Sequence, residues 1–377
     1  MVGGIASYLL SIYRRYLGQT EFQAIVPDTL DPGRFPFPVH QAPFRPFAQE
    51  RARSNEILLA LLRDHNSDVI LFGYLRSHPE VGPLYQRERP DACVAIVTHG
   101  KEAFLGGAVT DRTHLGQSHR GYAPHEVGFY RRLLLRADRV FAVSRFTSDV
   151  LRRDGVFENV AELPPSIEMP PQRNGAANPD LLDIPPGAPV LLSVGRLIER
   201  KGHRRVIDAV ARLRPRFPDL RYLIIGDGPE RETLNRLVVA RGLTRHVRFL
   251  GAASETVKEA SLQACDVFVL PCDHIGPNDV EGFGIVFLEA AAHGKPAVAG
   301  RSGGVPEAVI DGETGILVEP GQTADLAAAL ARLLSDADLR ERMGKAARHH
   351  ASRYAIEPTS GELVDLFQHL RRKRRSA

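Results

Sequence analysis

A chain of 377 residues with 43% hydrophobic and 25% charged residues has room for about two domains and the composition of an ordinary globular protein. Five cations from Arg371 to Arg375 exceed the formal net charge of +4, so the remainder is slightly acidic and lacks the broad basic field that nucleic acid requires. Cys93, Cys265 and Cys272 have neither disulfide-framework nor zinc-ligand spacing and fit a reducing, cytoplasmic setting, and no apolar run approaches the roughly 20 residues of a membrane span.

The chain opens directly on a glycine pair, Gly3 and Gly4 in "GGIASYL", followed by a helical stretch near residues 4–18. A doubly wound domain ordinarily places an apolar strand before such a turn. None precedes this one, so the expectation is a late start or an N-terminal sheet without its first strand. "FQAIVP", "DVILFG", "ACVAIVTHG" and "DRVFAVS" then read as strands, alternating with helices near 54–65 and 123–136. Ser144 is placed to cap a helix that ends before Gly155, and "VAELPPS" supplies a last short strand. Residues 168–188 hold five prolines and two glycines, as expected of a linker. Beyond it "PVLLSVGR", "RYLIIGDG", "VRFLG", "CDVFVLP", "PAVAG" and "GILVEP" form a second series of strands. These runs are short, apolar and rich in β-branched residues, which favours buried parallel strands. The expected fold class is therefore α/β, with two doubly wound domains: 1–167, then the linker, then 189–353. A final segment, 354–377, has Leu363, Leu366, Phe367 and Leu370 on one helical face.

Two stretches carry chemistry. In "DVEGFGIVFLEAA" two acids, Glu281 and Glu289, fall just outside and two turns into a helix expected to begin near Gly282 and to end before Gly294. Exposed first-turn amides attract anions, and glycines allow close approach to the backbone; a charge on the helix dipole and a surface acid would be the bland account. In "SVGRLIERKGH" Arg196 and Lys201 follow a strand end, where open parallel sheets bind ligands.

Together these resemble the retaining glycosyltransferases of family four, with their two-Rossmann GT-B architecture. The E-x7-E motif matches Glu281 and Glu289, and the G-R-x4-K turn matches Gly195, Arg196 and Lys201. "SGGVPEAV", "DGETGILVEP", "HGKE" and the opening "GGIASYL" are similar to further family segments in the family's order. The resemblance implies a cleft between the domains, a last helix within 354–377 that crosses back to the first domain, and a nucleotide-sugar donor. Arg196 and Lys201 would neutralise its diphosphate, and Glu289 would take the ribose hydroxyls. Glu281 would hold the sugar with the backbone of Gly282, Phe283, Gly284 and Ile285, and His99 would lie near the reacting carbon. Gly3 and Gly4 would border the phosphates. It also implies an ion-pair route with retention rather than a pair of glycosidase carboxylates.

No metal site is expected, because the D-x-D of Asp336 and Asp338 reads as a helix cap, and no cofactor beyond the nucleotide-sugar substrate is implied. "GDGPE" at 226–230 lacks the third glycine of a dinucleotide turn and reads as structural, with Pro229 opening a helix. Glu255 and Lys258 match guanine's donors and acceptor in sign, and these positions and "DVEGFGIVFLEA" resemble those of GDP-mannose-using family members, which leans toward GDP-mannose over UDP-sugars; an exposed i,i+3 pair is the alternative. The acceptor is expected to be a glycan or a lipid-linked molecule. The basic tail reads as a frayed terminus or as a weak peripheral contact with an anionic membrane face. A non-catalytic nucleotide-binding subunit, or an epimerase of the same architecture, would carry many of the same motifs.

Overall fold

The computed structural model describes residues 12, 24–27, 38–42, 48–73, 78, 80–99, 124–153, 155, 159–171, 182, 184–275, 279–356 and 362–376. The chain divides into two compact units, Ile167–Ala355 and, discontinuously, Gly4–Ser166 with Ile356–Ala377.

The N-terminal unit contains β1 (Ala24–Pro27), β2 (Val39–Ala42), α1 (Ala48–Asp64), β3 (Val69–Phe72), α2 (Val81–Glu88), β4 (Cys93–Thr98), α3 (Pro124–Arg136), β5 (Arg139–Ala142), α4 (Arg145–Arg153) and β6 (Val160–Glu162). Ser144 caps α4, its hydroxyl accepting from the Thr147 amide at 3.0 Å. All pairings are parallel, but β1 and β2 form one sheet and β3-β4-β5-β6 another. In a 3-2-1-4-5-6 order the opening strand would lie between β1 and β3; among the described residues no strand occupies that place. Strand β2, "VHQA", escapes a sequence reading because it has no apolar run.

The second unit contains β7 (Val190–Val194), α5 (His203–Leu213), β8 (Arg221–Ile225), α6 (Arg231–Ala240), β9 (Val247–Gly251), α7 (Glu255–Ala264), β10 (Val267–Leu270), α8 (Ile285–Ala292), β11 (Ala297–Gly300), α9 (Val305–Ala308), β12 (Gly315–Val318), α10 (Thr323–Ser335) and α11 (Ala337–Ser352). Its parallel sheet runs β12-β11-β10-β7-β8-β9, the doubly wound order. Leu191, Tyr222, Ile224, Val267 and Val269 from the strands pack with Val206, Val210, Leu330 and Leu333 from α5 and α10. Each such buried aliphatic side chain contributes about 1.5–3 kcal/mol. The strand order reverses between β7 and β10, so the crevice beyond their carboxyl ends is where a ligand is expected.

The last helix, α12 (Glu362–Arg375), corrects the reading of the tail as frayed. Leu363 and Phe367 are buried, and the Phe367 ring meets Phe141 edge-on at 6.2 Å. Three aspartates precede strands of the N-terminal sheet and receive the helix's arginines. Arg371 lies 2.8 Å from Asp68 and 3.2 Å from Asp91. Arg374 meets Asp138 at 2.8 Å, and Arg375 meets Asp91 at 2.7 Å. Three of the five cations expected to be available to a membrane surface are thus committed to carboxylates. Among the described residues no helix is long and apolar enough to cross a membrane.

Candidate active site

Gly195 and Arg196 follow β7 at the switch point. Arg196 is exposed and makes no ion pair among the described residues. The loop is laced to the "GDGPE" turn, whose role here is structural. Leu197 donates to the Asp227 carbonyl at 2.9 Å, and the Glu230 amide donates to the Leu197 carbonyl at 3.0 Å. Gly226, at φ 136°, leaves no room for a side chain, since a Cβ there would sit 1.8 Å from the Gly195 carbonyl. Helix α6 begins at Arg231, two residues beyond Pro229.

Lys201 closes a 3-10 turn, Glu199–Lys201, and its ammonium lies 2.6 Å from Glu281 Oε2. The same oxygen receives Arg200 Nη1 at 2.5 Å and the Cys272 thiol at 3.7 Å. Arg200 Nε also lies 3.0 Å from Asp279 Oδ1. Burial alone would raise the Glu281 carboxyl, but the charges of Lys201 and Arg200 and their hydrogen bonds outweigh it and hold it well below the usual range. Burial pushes the Cys272 thiol up to about 12, so it donates as S–H. In sequence Cys272 reads only as an unpaired cysteine, and Arg200 and Asp279 lie inside the two motif stretches with no signal of their own; only the fold shows them meeting.

Helix α8 starts at Ile285, not near Gly282, so Glu289 stands one turn from its N-terminus rather than two. Gly284 is its N-cap at φ 89°. Gly282 is buried, as is Phe283, whose ring packs on Tyr354 at 5.5 Å. The "SGGVPE" turn braces this stretch from behind, with the Gly304 amide donating to the Glu281 carbonyl at 2.9 Å.

Lys258 joins the two remaining acids. Its ammonium lies 3.3 Å from Glu289 Oε1 and 3.1 Å from Glu255 Oε2. Glu255 is exposed, whereas Lys258 and Glu289 are largely covered. Burial would lower Lys258, but Glu289 and Glu255 outweigh it, so the lysine keeps its charge. Burial raises Glu289, against the pull of Lys258. Behind it, His293 Nδ1 donates to the Glu289 carbonyl at 2.8 Å and Nε2 meets Glu259 at 2.9 Å.

Under the Arg196 loop lies a buried chain of four polar contacts. Ser193 bonds the Val269 carbonyl, Tyr222 OH lies 2.8 Å from Ser193 Oγ, and His203 Nδ1 is 3.3 Å from Tyr222 OH. His203 Nε2 completes it, 3.3 Å from the Arg196 carbonyl. Carbonyls end the chain on both sides, so a neutral imidazole leaves three protons for four contacts. Burial, with Lys201 nearby, nonetheless pushes His203 down to about 4.

In the N-terminal unit His99 follows β4, half-buried, with Nε2 donating to the Gly73 carbonyl beyond β3 at 2.8 Å. It stands at the carboxyl ends of neighbouring parallel strands. Gly3, Gly4 and the rest of "HGKE" lie outside the described residues, as does the helix expected near 4–18 apart from Ile12, which is helical and buried. Asp336 caps its helix as expected, accepting from the Leu339 amide at 2.8 Å. Among the described residues no cluster of His, Cys, Asp or Glu is arranged to hold a metal ion.

Residues 177–350 match the family described as glycosyl transferases group 1, and residues 2–169 match glycosyltransferase family 4. A GDP-mannose-dependent alpha-(1-6)-phosphatidylinositol monomannoside mannosyltransferase of Mycolicibacterium smegmatis is 35% identical over 296 residues, covering 77% of this chain and 73% of that protein. The chain belongs to glycosyltransferase family four. The family's GT-B architecture recurs in sucrose-phosphate synthase from Thermosynechococcus elongatus, with a TM-score of 0.81 at 23% identity over 98% of this chain and 94% of that one. It recurs again in Anabaena HepE solved with UDP-glucose, with a TM-score of 0.75 at 21% identity over 100% of this chain and 96% of that one. At those identities the likeness speaks for the fold alone. This family member is a glycosyltransferase, an enzyme that takes a hexose from an activated donor.

Proposed function

We propose that the enzyme moves mannose from GDP-mannose to a lipid-linked or glycan acceptor, with retention of configuration and without a metal. The observation that carries the choice of base is Lys258, which ties an exposed acid, Glu255, to the covered Glu289. An acid beside a lysine matches guanine's N–H donors and its O6 acceptor, and Glu289 is left to face the ribose. The GDP-mannose dependence of the mycobacterial relative supports the same base, and that relative's phosphatidylinositol-based acceptor supports a lipid-linked one.

In this reading Arg196 and Lys201 neutralise the diphosphate as charge grows on the leaving oxygen, an attraction that strengthens toward the transition state. Lys201 exchanges Glu281 for phosphate as the donor enters. Glu281 accepts from the sugar hydroxyls, His99 contacts the sugar near the reacting carbon, and the departing phosphate takes the acceptor's proton. A non-catalytic nucleotide-binding subunit would keep its ligand affinity in His99→Ala, whereas transfer here falls about 100-fold or more.

A thermal-shift titration with GDP, UDP, ADP and NAD, each with and without EDTA, tests the donor site. A ligand at 100 times its dissociation constant adds about 2.7 kcal/mol. A shift with GDP alone, unchanged by EDTA, is the expected result, followed by NMR assignment of the product anomer as α. A shift only with UDP, or one abolished by EDTA, would overturn the base or the metal independence.

A further inference from the structure

We propose that Arg200 is a positioning residue of the donor site, holding Glu281 ionised and oriented after Lys201 has moved from it to the diphosphate. The inference rests on the donor-site reading above and adds a residue to it. Glu281 is used asymmetrically: Oε2 receives Arg200, Lys201 and Cys272, while Oε1 accepts none of the described hydrogen bonds. One oxygen is the anchor, and the other is left for a sugar hydroxyl.

The two cations on the anchor differ in what else holds them. Lys201 Nζ has Glu281 as its one ion-pair partner among the described residues, and a lysine is a point charge on a flexible stem. Arg200 is fixed at both ends. Its guanidinium bridges Glu281 and Asp279, and its carbonyl accepts from the Asp273 amide at 2.7 Å. Asp273 is in turn clamped by Arg205 and by the Gly321 amide at 2.9 Å. An incoming diphosphate can therefore draw Lys201 away but not Arg200.

The charge count makes the second cation necessary. With the donor absent, Asp279 and Glu281 balance Arg200 and Lys201. When Lys201 turns to phosphate, two largely covered carboxylates remain beside a new anion. Without a cation between them, such a pair takes up a proton. Any share of that proton on Glu281 removes the charge needed to grip the sugar. The neighbours add no substitute: Cys272 is a neutral thiol and His203 is directed at Tyr222 and the Arg196 carbonyl.

The test is the rate of GDP release from GDP-mannose between about pH 5 and pH 8, with GDP affinity measured alongside, in wild type, R200M and R200K. UDP-glucose and UDP replace them if the titration selects UDP. In R200M, GDP affinity stays within about threefold, because Arg196 and Lys201 remain, while kcat falls about 10- to 100-fold at the acidic end and recovers as pH rises. R200K restores most of the acidic limb. A fall by one constant factor at every pH, or no fall, overturns the inference. Should R200M fail to fold, R200M/D279N restores charge balance yet still leaves Glu281 covered beside the diphosphate without a cation, and is expected to show an acidic limb displaced in the same direction by a smaller amount; an unmoved limb there overturns the inference as well. Wild type that binds neither nucleotide removes the donor-site reading itself, and the inference with it.

Discussion

Substituting Gly303 by alanine separates the cost of an unusual backbone from the cost of moving the site. Gly303 has φ 55° and lies under the Glu281 stretch, and a Cβ there would stand 2.0 Å from the Glu281 carbonyl oxygen and 3.2 Å from Val280 Cβ. Gly312 has a similar φ, 75°, and a Cβ there would meet nothing within 4 Å. Both substitutions incur the left-handed penalty of about 1–2 kcal/mol. Only the first also displaces backbone: carbons make contact at about 3.5 Å, so the Glu281 peptide has to retreat by more than an ångström. A shift of that size in a substrate-holding group lowers turnover about 100-fold. Gly312→Ala is therefore expected to lower the melting temperature by a few degrees, at roughly 2–4 °C per kcal/mol, and to leave turnover intact. Gly303→Ala should melt lower still and lose about two orders of magnitude in kcat/KM. Calorimetric melting and initial rates read both. Equal turnover in the two variants would refute the claim that this turn sets the position of Glu281.

Lys258→Met leaves Glu289 covered without its cation, so Glu289 protonates more readily and nucleotide affinity drops about tenfold or more, the loss growing as pH falls; titration calorimetry at two pH values reads it. Arg374→Ala leaves Asp138 facing Val94 and Gln86 without its cation and is expected to destabilise the N-terminal unit by about 1.5–3 kcal/mol, with a double-mutant cycle against Asp138→Asn giving the coupling. His203 has its folded value depressed from 6.5 to about 4. The unfolded chain binds more protons across that window, so stability is full above about pH 6.5 and is lost as pH falls toward 4. His203→Gln should flatten that part of the stability–pH curve in chemical denaturation.

The parts legible in the sequence are those whose signal is local. Strands such as "ACVAIVT" and "VLLSV" are buried throughout and apolar but for one hydroxyl each, because parallel strands are covered on both faces, and they declare themselves. Among the described residues "VHQA" pairs only with β1; it carries two polar residues and does not declare itself. The start of α8 is misplaced by sequence reading because glycines at 282 and 284 surround Phe283, and only the φ of 89° shows which of them ends the loop. Arg196, Lys201, Glu281 and Glu289 are recognisable as a motif set, but the pairing of Lys201 with Glu281 and of Lys258 with Glu289 depends on the strand crossover. So do Arg200 and Cys272, which look like a loop cation and a core thiol until β7 and β10 lie side by side.

The dependence of the first-made unit on α12 orders events during synthesis. The Ile167–Ala355 unit is continuous and can close its sheet once it has left the ribosome. The other unit lacks Phe367 over Phe141 and Arg374 on Asp138 until the final residues emerge. At roughly 5–20 residues per second, the stretch from Ser166 to Arg375 takes roughly 10–40 s. Through that interval the apolar face around Cys93 and Phe141 stays open, a natural site for chaperone holding. A nonsense change or a proteolytic cut ahead of Glu362 would therefore yield one finished domain tethered to one that aggregates.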